Sequence, residues 1–146
     1  MKRWLGVMMA LNVLLGLGTG LGRAADTGDS QQINHFNQQM QKINKQAKDP
    51  KVLQLTMEQI ATETGVPVDQ VRSQHRTYPD EGAASLLVAN VLAAETKKSP
   101  NSFLKERSSG KRWVDIAQEN KVPMEKFIVR LDRIEKAIAP AAQTGK

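Results

Sequence analysis

The sequence predicts an all-α protein, a small bundle of about six helices in which two helix–corner–helix units flank a central apolar helix. Three observations carry that prediction. Gln, Lys, Glu and Ala are plentiful, and no stretch sustains the alternation of apolar and polar residues that a strand requires. Apolar residues instead recur at intervals of three and four, the spacing of one helix face. A motif containing Val-Pro occurs twice in similar surroundings, which points to a repeated corner between helices.

The first 24 residues read as a secretory leader. Lys2 and Arg3 form a positive start, Leu5–Leu21 carries no charge, and Gly22-Arg23-Ala24 precedes Ala25-Asp26. Small residues at the third and first positions before the cut place cleavage after Ala24. The uncharged stretch is short for a span of roughly 20 residues. It also holds Gly16, Gly18 and Gly20, which weaken a helix. The sequence thus predicts export to the periplasm or beyond, with membrane contact only through the leader before cleavage. A lipid anchor needs a cysteine, and the chain has none.

Cleavage changes the charge. The full chain has 21 Lys+Arg against 15 Asp+Glu, a net of +6; removing Lys2, Arg3 and Arg23 leaves 18 against 15, a net of +3. So mild an excess does not by itself point to nucleic acid. Residues 25–139 read as one helical domain and 140–146 as a polar tail. Without disulfides the core must hold this domain alone.

Each element follows from local chemistry. Asp29 or Ser30 is expected to cap a first helix whose Ile33, Phe36, Met40 and Ile43 form a single apolar stripe. Asp49-Pro50 is expected to end it. Thr56 and Gln59 have capping-box spacing for a second helix that stops at Gly65. Val66-Pro67 opens a third, to about Thr77, and Tyr78–Gly82 is a turn. Ala83–Glu95 places Leu86, Leu87, Val88, Val91 and Leu92 among five alanines. Apolar nearly all round and too short to span a bilayer, it is the expected central helix. Ser99-Pro100 starts a helix that turns Phe103 and Leu104 inward and ends at Gly110. A further helix covers about Arg112–Asn120. The last starts at Pro123 and carries Phe127, Leu131, Ile134 and Ile138 up to Pro140.

The duplication aligns Ile60–Val71 with Ile116–Phe127 at a constant offset of 56 residues, with five of twelve positions identical. The broader copies are 56–77 and 112–138. In each, an alanine (Ala61, Ala117) lets the next helix cross closely and a valine (Val66, Val122) plugs the corner. Proline then sits where no N–H is needed. The acid two residues later (Asp69, Glu125) favours the positive end of the new helix. Trp113 matches Met57 and reads as a core residue.

Ala61, Gly65, Val66 and Val71 are spaced as in the helix-turn-helix family, which this first copy resembles. That resemblance implies a DNA-reading face of Val68, Asp69, Arg72, Ser73 and Arg76. Only two of these residues are basic, and the second copy has Lys121 in place of the corner glycine. Trp113-Val114-Asp115-Ile116-Ala117 followed by Val122 and Phe127 resembles the lysin motif, which implies binding to cell-wall glycan. That module needs strands on both sides, whereas Pro100–Ser109 and Asp132–Ile138 have helical patterns here. In general style the chain is similar to small exported bacterial all-helical proteins of undefined role.

No His, Cys or carboxylate set has metal-ligand spacing on a helix face, and no nucleophile has a partner in sequence. The sequence therefore predicts no enzyme, no metal and no cofactor. The candidate binding residues are Lys105, Arg107, Lys111 and Arg112, four cations around the Ser108-Ser109-Gly110 corner. The upstream glycine of a phosphate-binding loop is missing. The expectation is an exported, non-catalytic accessory protein whose partner is another protein or an anionic cell-envelope polymer.

Overall fold

A computed structural model describes residues 22–144, with side-chain surroundings from Gly28 onward. The expected leader, 1–24, lies outside these residues except for its last three, which begin the first helix. Seven α-helices make up the described chain, with no strand among them: α1 Gly22–Gln46, α2 Pro50–Thr64, α3 Val68–Thr77, α4 Ala83–Thr96, α5 Pro100–Ser108, α6 Trp113–Glu119 and α7 Glu125–Thr144. A single 3₁₀ turn, Pro79–Glu81, precedes α4. None of the described helices is long and apolar enough to cross a membrane.

The core is built around α4. Every residue from Ala83 to Leu92 is buried, and α4 packs against α1, α2, α3, α5 and α7. A helix apolar all round is stable only when neighbours cover every side. The stripe on α1 meets this body: Phe36, Met40 and Ile43 are buried, and Phe36 stands edge-on to Phe127 of α7, ring centroids 6.1 Å apart. Phe127, Leu131, Ile134 and Ile138 form the buried face of α7, which lies along α1 and α2 as well as α4.

Two buried polar residues on α4 tie it to its neighbours. Asn90 exchanges amide hydrogen bonds with Gln74 of α3: Asn90 Nδ2 donates to Gln74 Oε1 at 2.7 Å and Gln74 Nε2 donates to Asn90 Oδ1 at 3.1 Å. Ser85 Oγ accepts from Trp113 Nε1 of α6 at 3.0 Å. The entry to α4 is capped from a distance, because Asn44 Oδ1 of α1 accepts the Ala84 N–H at 2.9 Å.

The two corners of the duplication share one backbone device. Gly65 has φ 72° and Lys121 has φ 56°, both left-handed, and Ile60, Ile116, Val71 and Phe127 are all fully buried. Met57 and Trp113 are both core residues.

Three helix boundaries differ from expectation. Asp29 and Ser30 are exposed and lie inside α1, whose preceding alanines favour continuing the helix over capping at that point. Asp49-Pro50 begins α2: Asp49 Oδ1 accepts from Lys51 N at 2.8 Å and Val52 N at 3.3 Å, with Pro50 at the first helical position. Thr56 is accordingly no cap. It is buried in mid-helix, and its hydroxyl donates to the Val52 carbonyl at 2.7 Å. At the other end, α7 continues through Pro140 to Thr144. Proline there forfeits one helical hydrogen bond, offset by the packing of Ala141 and Ala142 against the core.

Candidate functional site

The basic corner lies between α5 and α6. Its two serines close α5: Ser108 Oγ donates to the Lys105 carbonyl at 3.0 Å and Ser109 Oγ to the Glu106 carbonyl at 2.7 Å. The chain then reverses at Gly110, where φ is 106°. A last-turn carbonyl has no partner within its own helix, and these hydroxyls provide one.

The structure brings the four predicted cations to this corner and gives three of them carboxylate partners. Arg112 forms a bidentate pair with Asp115, both contacts at 2.8 Å. This pairing lowers the Asp115 pKa and raises that of Arg112. Lys111 Nζ sits between Glu119, at 2.5 Å, and Glu106, at 3.1 Å, and hydrogen bonds from both raise its pKa. Arg107 donates through Nη1 to the Lys111 carbonyl at 3.1 Å, and its Nε lies 3.4 Å from Glu81 Oε2. Lys105 is exposed and makes no ion pair among the described residues. Being mostly exposed, these pairs add little stability, but they leave the corner close to electrically balanced.

Glu81 differs from the other carboxylates. Its side chain is 13% exposed, and burial raises its pKa, with Arg107 opposing and Asp80 adding to the rise. Arg107 Nε is buried and has no hydrogen-bond acceptor, so its approach to Glu81 is a charge contact without hydrogen-bond geometry. These two side chains open onto a cleft of about 330 Å³ between α1 and the corner. Asn37, Gln41 and Asn44 of α1 line one wall, and Arg112 and Trp113 line the other.

On α3, Asp69 pairs with Arg72 at 2.9 Å, while Val68 packs partly against the core and Ser73 and Arg76 are exposed. The segments flanking the second copy are helical, in α5 and α7. His35 is exposed, and His75 has a buried Nδ1 without a partner. No group of three or more potential metal ligands occurs among the described residues.

Sequence reasoning found the cations but not the cleft, since Glu81 and the α1 amides are remote from the corner in the chain. The lysines at 42, 45, 48 and 51 recur every three residues, a sequence signal of a second basic edge. Compared with protein-family models, curated proteins and solved structures, the chain has no significant match.

Proposed function

We propose that this chain is an exported, non-catalytic accessory protein that binds an anionic partner in the cleft between α1 and the α5–α6 corner. The observation carrying this reading is the Arg107–Glu81 contact. Arg107 Nε is a buried donor without an acceptor, facing a carboxylate that burial already disfavours as an anion. An incoming carboxylate or phosphate oxygen supplies the missing acceptor and replaces Glu81 as the partner of Arg107. Arg112 and the amides of Asn37 and Gln41 offer further donors around the same space. The architecture suits a rigid support for such a site, with two helix–corner–helix units flanking α4 and the second unit supplying Arg112 and Trp113.

Amide-shift titration of the protein with inorganic phosphate and then polyphosphate tests the site. Shifts at Arg107, Arg112 and Trp113 that vanish in Arg107→Gln support it, and unchanged spectra overturn it. Cell fractionation tests export: a chain found in the cytoplasm with its N-terminus intact overturns that part and favours the helix-turn-helix alternative, with α3 on DNA. Co-sedimentation with purified peptidoglycan, unaffected by Arg107→Gln, favours the cell-wall glycan alternative instead.

A further inference from the structure

A second recess lies where the last turn of α1, the start of α2 and the end of α7 meet. It is a groove of about 700 Å³ with Val52, Ala139 and Ala142 at its apolar face and Lys42, Lys45 and Gln46 along its α1 side. A smaller hollow of about 290 Å³ adjoins it, lined in part by Lys51 and Ala141, with Asp49 common to both.

Charge here is not internally balanced as it is at the α5–α6 corner. Lys42 is paired with Glu135, and the Asp49 carboxylate is engaged with the N–H groups that open α2. Lys45, Lys48 and Lys51 are exposed and make no ion pair among the described residues. Lys45 therefore stands in the groove and Lys51 in the adjoining hollow as uncompensated cations beside small apolar side chains, with Lys48 on the exposed turn between α1 and α2. Alanine at 139 and 142 lets the backbone of an occupant come close. One further group is unsatisfied: Gln46 Oε1 is buried and has no hydrogen-bond donor.

We infer that this groove docks an acidic, partly apolar segment of a partner protein. Its apolar side chains rest on Ala139 and Ala142, which are half-buried above the buried Val52, and its carboxylates meet Lys45 and Lys51, with Lys48 on the neighbouring turn adding to the positive field. A peptide N–H satisfies Gln46 Oε1. A bilayer surface fits less well. Surface-binding helices insert large apolar side chains, and among the described residues the exposed large hydrophobic is Val129, near the opposite end of α7.

The test uses the full chain and a short synthetic peptide of Glu and Leu at helical spacing. Its controls are a Lys-for-Glu version of the peptide and vesicles of phosphatidylglycerol and phosphatidylcholine. The acidic peptide is expected to shift the amides of Lys45, Gln46, Val52, Ala139 and Ala142. Affinity should fall about tenfold in the Lys45→Glu/Lys48→Glu variant, and also at higher salt. Both lysines are exposed, so the melting temperature should hold. Ala142→Glu, which places a carboxylate in the groove, provides a second block. The inference is overturned if the acidic peptide produces no shift, if the Lys version binds equally, or if shifts centre on Arg107 and Trp113. Vesicle binding that is stronger than peptide binding and lost in the double variant also overturns it.

Discussion

The two copies of the motif turn the same corner and are then held to α4 at different places. Gly65 and Lys121 both adopt the left-handed conformation, and Ile60 and Val71 are buried as Ile116 and Phe127 are, whereas Ala61 and Val66 are half-buried and their counterparts Ala117 and Val122 are buried. The first copy is tied through its second helix, where Gln74 meets Asn90. The second is tied through its first helix, where Trp113 meets Ser85. α3 ends after 10 residues, whereas α7 runs for 20 and lies along α1 and α2. The motif thus specifies a local crossing. The route of each copy through the molecule depends on what its remaining apolar residues find to cover.

Substitutions at these ties and corners test the contrast. The largest effect is expected at Gly82, whose turn leads both copies' shared helix out of α3. Its φ of 77° and ψ of 157° favour glycine, and an added Cβ lies 2.7 Å from the Asn44 side chain that caps α4. Gly82→Ala should cost about 3 kcal/mol in thermal or denaturant unfolding.

Next comes the first tie. Asn90→Leu strands a buried Gln74 and should cost about 2 kcal/mol, while the Gln74→Leu/Asn90→Leu pair should recover much of the loss in a double-mutant cycle. Trp113→Phe, which keeps an aromatic ring in the core but removes the donor to Ser85, should cost about 1 kcal/mol by the same measurement.

The corners should respond with opposite signs. Gly65→Ala introduces left-handed strain in open space and should destabilise by about 1 kcal/mol, whereas Lys121→Gly should stabilise by a few tenths up to about 1 kcal/mol. Equal responses at the two sites would show that the corners are not equivalent in energy.

The smallest effect concerns Glu81. Because burial raises its pKa in the fold, the native state holds that proton more tightly than the unfolded chain does. Its contribution to stability is therefore complete below the ordinary value of 4.5 and fades as pH rises through the raised value. Denaturant unfolding of wild type and Glu81→Gln should run parallel below that window and diverge above it, where wild type loses this increment and the permanently neutral variant does not.

Much of the fold was legible because it rests on local chemistry. The core stripe of α1, the all-round apolar α4, the inward Phe103 and Leu104, and the Val-Pro corners were readable from spacing and turn residues. Asp49-Pro50 shows the limit of such reading. The same pair is compatible with the end of one helix and the start of another, and only the Asp49 contacts to Lys51 and Val52 decide between them. The α5–α6 corner was legible as a run of cations. Its near neutrality was not, because Glu81 and Glu119 reach it only through folding.

Periodicity, capping and turn preferences act over a few residues, and they suffice for the helical character of the described chain, the place of the repeated corner and the identity of the buried central helix. The packing of the helices fixed which polar groups meet. It set Asn90 against Gln74, placed Arg107 beside a carboxylate disfavoured by burial, and left Lys45 and Lys51 without ion-pair partners at the recess between α1, α2 and α7. Those outcomes depend on desolvation and on contacts between distant segments, which exist only once the helices have packed.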